Sequence, residues 1–190
     1  MIKVASVLAA WLAIVSSGFW FFSAKFFVPV SRPEGSAIPT EVIGKAVAPA
    51  GRITVYNFWN PSCPCSRFME GHVKEVIRKF EAKGVEFVHV VEGSKELPDD
   101  VHSRWHVSGE PKVVLDADGA IARKHGVWAA PAAVVVDAHG KVQFVGSYNI
   151  TRYCDDEKTA YAEQAIEKLV SGEDIGVKTV PFYGCTNLGR

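Results

Sequence analysis

The sequence predicts an α/β domain with a mixed central sheet, preceded by an apolar N-terminal helix. Three observations carry this. A β-branched run, Ile53-Thr54-Val55-Tyr56, leads into a stretch whose apolar residues Phe68, Met69, Val73, Val76, Ile77 and Phe80 fall on one helical face. A second apolar run, Val85 to Val91, follows that helix, so the two strands are expected to be parallel. Two further apolar runs flank the turn Asp137-Ala138-His139-Gly140 and read as a β-hairpin, which brings in antiparallel pairing.

The remaining elements follow in order. Gly51 to Trp59 is the first strand, and a helix opens at Cys63 or Pro64 and stops near Lys83-Gly84. Pro64 suits a first helical turn, where its missing N–H costs nothing. Glu92 to Gly109 is polar, with a short helix expected around Pro98 to Trp105. Pro111 to Asp116 is a short strand, Ala117-Asp118-Gly119 a turn, and Ala120 to His125 a short helix. Asp155 to Val170 reads as the closing helix, acidic at its start and stopped by Gly172.

The chain has 190 residues, 48% of them hydrophobic, which suits one core and an appendage. Formal net charge is zero and no dense basic run occurs, so nucleic acid is not an expected partner. Four cysteines permit two disulfides, in three pairings, in an oxidising compartment; in a cytosolic setting they would suggest a metal.

Val4 to Phe22 is almost wholly apolar between Lys3 and Lys25, long enough to cross a bilayer as a helix. Trp20, Phe21 and Phe22 would form an interfacial aromatic belt. An uncleaved anchor is preferred to a signal peptide ending near Ser23-Ala24, because the run is long and no clear Ala-x-Ala precedes a cut. Either outcome exports the remainder. The expected organisation is therefore 1–27 as anchor or signal segment, 28–50 as a Pro/Gly/Ala/Ser-rich tether with little structure, 51–172 as the folded domain, and 173–190 as a tail. That tail carries Cys185, and no pattern places it.

Cys63 and Cys65 sit where the first strand becomes a helix. Unpaired N–H groups and the helix dipole favour negative charge there, which pushes a thiol toward its nucleophilic thiolate form.

Phe58-Trp59-x-x-x-Cys63-Pro64-Cys65 resembles the Phe-Trp-x-x-x-Cys-x-x-Cys segment of thioredoxin-like proteins. The resemblance is greatest to the membrane-anchored bacterial thiol–disulfide proteins of the TlpA/ResA and redoxin type. Cys63 matches the attacking cysteine, but the second family position holds Ser66 and the nearby cysteine is Cys65. A Cys63–Cys65 bond would close a very small ring and would be strained and easily reduced. Cys63 working with a more distant cysteine is the alternative. A second similar segment is Gly126-Val127 followed by Pro131, the strand Ala132 to Val136, and Asp137-x-x-Gly140-x-Val142-x-x-x-Gly146. In the family that proline is cis and packs against the redox cysteines; Pro131 matches it.

The resemblance covers roughly residues 51–150 and implies a thioredoxin-like three-layer sandwich and thiol–disulfide exchange. The substrates would be protein thiols and disulfides, with a redox partner the sequence does not identify. The protein would stand single-pass in a bacterial inner membrane with its domain in the periplasm. No cofactor and no metal are expected. Cys63, Cys65 and Pro131 are the candidate catalytic residues, with Trp59, Pro64 and Pro131 shaping an apolar substrate groove.

In such a sheet the hairpin strand Lys141 to Tyr148 ends near the site, so the loop Ser147 to Cys154 falls within reach of Cys63. Cys154 is then a candidate resolving thiol. The rival is a structural Cys154–Cys185 bond that pins the tail. No buried acid precedes the motif, and Tyr56 and Asn57 are poor bases. His102 and His106 have an i, i+4 spacing that suits metal on a helix, although chance explains it better.

Soft thiolates also suit copper, zinc or an iron–sulfur cluster, so metal delivery is the second function class. The copper-delivery Sco proteins share this fold but use Cys-x-x-x-Cys, with a histidine at about the place of Pro131. Peroxide reduction requires a Pro-x-x-x-Thr/Ser-x-x-Cys loop that Pro61-Ser62-Cys63 does not match. A non-catalytic thioredoxin-like binding domain is the remaining alternative.

Overall fold

The computed structural model describes residues 2–27, 29–34, 36–150 and 156–186. Helix α1, Ile2–Phe27, contains the segment Val4–Ser23, which is long and apolar enough to cross a membrane and is buried against nothing in the protein. A short helix α2, Pro39–Val42, comes next.

The domain is built on a five-stranded sheet. Its strands are β1 (Thr54–Trp59), β2 (Glu86–Glu92), β3 (Lys112–Asp116), β5 (Ala132–Val136) and β6 (Val142–Gly146), in the order β3-β2-β1-β5-β6. β1 runs parallel to β2, and β2 to β3; β5 is antiparallel to both β1 and β6. The expected mixed sheet is therefore present. Two residues, Ala129–Ala130, form β4 outside it.

Helices pack both faces. On one lie α3 (Pro64–Glu81) and α6 (Tyr161–Ser171), whose Met69, Val73, Ile77, Ala165 and Ile166 meet Val55, Phe87 and Phe144 of the sheet. On the other, Ala122 of α5 (Ala120–Lys124) packs with Phe58, Val90, Val134 and Val145. β5, Ala132 to Val136, is buried along its whole length, as a strand between two helical layers must be. Helix α4, Val101–Trp105, sends Trp105 into the first core, where it meets Trp59 edge-on with ring centroids 5.7 Å apart.

Three expectations need correction. Segment 28–50 is not a loose tether. Val42 is buried, Ala46 bridges Lys141, and the Val30 carbonyl accepts from the Trp128 indole at 3.1 Å. The closing helix starts later than Asp155: a 3-10 turn, Glu157–Thr159, precedes it, and Asp156 caps that turn by accepting from the Lys158 N–H at 2.9 Å.

The tail, finally, is part of the fold. Thr179 bridges Val145 beside β6: the Val145 N–H donates to the Lys178 carbonyl at 3.0 Å, and the Val145 carbonyl accepts from the Val180 N–H at 3.2 Å. A Cβ at Gly146 would stand 2.4 Å from the Val180 side chain, so only glycine lets the tail lie this close. Phe182 is 1% exposed and packs on Trp128 at 4.3 Å, and its carbonyl accepts from the Val30 N–H at 2.7 Å. Tail and tether thus hold one another. Phe182→Ala is expected to destabilise the domain by about 3 to 5 kcal/mol, read from the urea midpoint.

Candidate functional site

The site forms where β1 ends. Trp59 closes the strand, and Asn60-Pro61-Ser62 turns the chain into α3. Local hydrogen bonds set that turn. The Asn60 side-chain oxygen accepts from the Ser62 N–H at 2.8 Å, and its carbonyl accepts from the Cys63 N–H at 3.1 Å. Its own N–H donates to the Ser66 hydroxyl at 3.2 Å. Ser66, where the resembling family carries its second cysteine, here ties the turn together and is 1% exposed. Cys63 is the N-cap of α3 in extended conformation, with Pro64 at the first helical position. No side-chain hydrogen bond caps this end, and Cys63 stands at the positive end of the helix dipole, which favours an anionic sulfur.

The second wall comes from β4 and Pro131. The Ala130–Pro131 bond is cis, as the resemblance implies. The Ala130 carbonyl oxygen lies 3.5 Å from Cys63 Sγ. The third wall is the tail. Cys185–Thr186, β7, pairs antiparallel with β4, Ala130 opposite Cys185 and Ala129 opposite Thr186. Tyr183 N–H donates to the Ser147 hydroxyl at 2.8 Å and positions this strand.

Cys63 and Cys185 are joined in a disulfide that spans 122 residues, with Cα atoms 5.9 Å apart. Cys65 stays a buried thiol. The Sγ atoms of all three lie within 4.8 Å of one another. The Cys63–Cys65 pairing is therefore not the bond formed. The two sulfurs lie close, but Cys63 is already bonded to Cys185, and a bond between cysteines two residues apart would close a very small, strained ring. The Cys154–Cys185 pairing is not formed either, since Cys185 is bound to Cys63. Cys154 itself falls outside the described residues.

The expected apolar groove takes a different shape. Trp59 is 2% exposed and belongs to the core, not to a groove wall; Arg104 lies 5.4 Å over its ring. Pro64 is exposed, Pro131 is buried, and the tail occupies the space beside it. At Gly184 a Cβ would stand 2.0 Å from the Ala130 oxygen. Gly184→Ala is expected to lift the tail off β4 and keep the disulfide from closing. Alkylation of the unreduced protein, read by mass, would then label Cys63 and Cys185 together.

Sequence reasoning missed a buried polar chain in the sheet. The Tyr148 hydroxyl donates to Asn57 Oδ1 at 3.0 Å, and Asn57 Nδ2 donates to His89 Nδ1 at 3.0 Å. That leaves the His89 proton on Nε2 of a neutral ring, which stacks on Trp105 at 4.5 Å. Burial pushes His89 down to about 3 and raises Tyr148. Asn57, an uncharged residue in a core strand, was the available signal. His102 and His106 are both exposed, and α4 ends at Trp105 before His106. Among the described residues, the group able to hold a metal is the three cysteines.

A family model described as "Domain of unknown function (DUF6436)" matches residues 36–186. The chain belongs to the DUF6436 family. No curated protein sequence matches it. Solved structures similar to this DUF6436 chain include a hypothetical protein from Sinorhizobium meliloti. It is 16% identical, with TM-score 0.62, over 76% of this chain and 93% of that one. Another is an uncharacterized conserved protein from Geobacillus kaustophilus, 16% identical, TM-score 0.63, over 78% and 92%. A thioredoxin-like protein solved in its oxidized form is also 16% identical, with TM-score 0.50, over 78% and 97%. At these identities the likeness concerns the fold. The DUF6436 domain has the thioredoxin-like fold, and Cys63 lies where the sequence resemblance places the attacking cysteine.

Proposed function

We propose that this DUF6436 protein is a membrane-anchored, extracytoplasmic thiol–disulfide oxidoreductase whose redox pair is Cys63 and Cys185. The observation that carries the reading is the Cys63–Cys185 bond. It lies at the open N-terminus of α3, beside Pro131, and against a strand held to β4 by two residue pairs. Thiol–disulfide exchange needs a sulfur that leaves and returns easily as thiolate, and the helix end supplies the charge that stabilises it. Helix α1 supports the anchored placement, and a disulfide supports an oxidising compartment.

The reaction is reversible exchange with a protein dithiol. The partner's first thiolate forms a mixed disulfide with one sulfur of the pair and releases the other as thiolate. The partner's second thiol then attacks its own bound sulfur. The partner leaves oxidised, Cys63 and Cys185 are left as two thiols, and two protons pass between the thiols and solvent. Run backwards, the same steps reduce a partner disulfide. Cys65 stands beside the pair as the third sulfur, and Pro131 shapes the adjoining wall.

The test is equilibration of the folded, detergent-solubilised chain with glutathione buffers, followed by thiol trapping. Reading a single two-electron transition while the fold persists supports the proposal. A bond that opens only when urea unfolds the domain would make it a structural clamp.

The second reading is soft-metal binding, and one observation favours it. Once the disulfide is reduced, three thiols lie close together, a donor set that suits Cu(I) or Zn. Cu(I) bound at one equivalent by the reduced chain, and lost in Cys185→Ser, would promote it.

A further inference from the structure

The two sulfurs of the bond are not equally open. Cys63 is 1% exposed, enclosed by β4, Cys65 and the tail, whereas Cys185 is partly exposed on the outer strand. An attacking thiolate must approach one sulfur along the S–S axis, from the side away from the sulfur that leaves. Of the two, the partly exposed Cys185 is the sulfur that a thiolate from outside can reach. Leaving-group stability favours the same assignment. The sulfur that departs most readily is the one whose thiolate is better stabilised, and Cys63 caps an 18-residue helix while Cys185 caps none.

We propose that Cys185, not Cys63, is the sulfur through which the protein exchanges with its partner, with Cys63 as the internal thiolate that leaves and returns. This rests on the redox reading above and assigns the roles within it. A partner thiolate attacks Cys185 Sγ, the Cys63–Cys185 bond breaks, and Cys63 keeps the electron pair as thiolate at the helix end. The partner is then held on the tail. Its second thiol attacks its own sulfur in that mixed disulfide and releases Cys185 as thiolate, which takes a proton from solvent. In the opposite direction Cys185 attacks a partner disulfide, and Cys63 then attacks Cys185 to expel the partner sulfur and restore the internal bond.

The tail is built for such an arm. Phe182 is buried and Tyr183 is tied to Ser147, so the anchor stays in place. Beyond them lie Gly184 and Cys185. Three extended residues from Phe182 reach about 10 Å, so a partner carried on Cys185 stays close to Cys63. Gly184 supplies the conformational freedom between anchor and sulfur.

The experiment uses the oxidised full chain in detergent, as the unaltered protein and as Cys65→Ser/Cys154→Ser, which removes the other thiols. Each is exposed briefly to glutathione, quenched in acid, alkylated with N-ethylmaleimide and mapped by mass spectrometry. The expected result is glutathione on Cys185 and maleimide on Cys63, at least tenfold over the converse. Glutathione on Cys63, or an even split, would overturn the assignment and leave the redox reading standing. No adduct on either sulfur while the domain stays folded would remove both. The unaltered chain keeps the test valid if the double variant folds poorly.

Discussion

Replacing Cys63 by serine is expected to lower turnover of a disulfide substrate by at least about a thousandfold, equivalent to some 4 kcal/mol of barrier. The reason lies at one helix end. Cys63 is the N-cap of α3, at the positive end of the helix dipole, and it is the cysteine that holds the tail. Serine keeps the shape and the capping chemistry but cannot form or release an S–S bond. Cys185→Ser should stop turnover to a similar degree, yet the two variants should fail differently. Cys63→Ser leaves Cys185 able to capture a partner with nothing inside to release it, so mixed disulfide accumulates on the tail. Cys185→Ser leaves Cys63 without its bond to the tail. Turnover of a fluorescent protein disulfide, run beside non-reducing mass analysis, measures both. Undiminished turnover in Cys63→Ser would end the assignment.

Acidification from pH 7 to pH 4 is expected to destabilise the domain by about 3 kcal/mol through His89 alone. The ring is 1% exposed, stacks on Trp105 and receives a hydrogen bond from Asn57, and burial holds it down to about 3. In the unfolded chain the same imidazole protonates near its ordinary value of about 6.5. Between those values the unfolded state binds the extra proton, so stability is full above the unfolded value and falls as pH drops toward the folded one. His72 and His125 are lowered by burial as well and act in the same direction. Urea midpoints at pH 7 and pH 4 should show the loss, and His89→Gln, which cannot take a proton, should remove the share that His89 contributes. Equal pH slopes in the two proteins would mean that His89 is not held neutral.

Much of the domain was legible because its elements carry local signals. The helix after Cys63 shows its buried face in the spacing of Met69, Val73, Ile77 and Phe80. β5 shows its burial in an unbroken apolar run, and Asp137 to Gly140 announces the hairpin. Tether and tail hid for the opposite reason. Val42, Val30 and Phe182 are isolated apolar residues in irregular chain. Their partners lie far away in sequence, Gly126 for Val42 and Trp128 for both Val30 and Phe182, so no period reveals them.

By itself the sequence determined which sulfur sits at a helix end, because that depends only on the order of strand, turn and helix around Cys63. That a proline stands across from it is what the resemblance at Pro131 implies, and the Ala130–Pro131 bond is cis beside Cys63. Which cysteine closes the bond was decided by tertiary structure alone. Along the chain Cys154 reads as the resolving thiol or as the structural partner of Cys185, and nothing joins Cys185 to Cys63; that bond depends on Gly146 and Gly184, which let the tail approach within backbone contact of β6 and β4. A disulfide forms between sulfurs that packing has already brought together, and packing across 122 residues leaves no trace in local sequence.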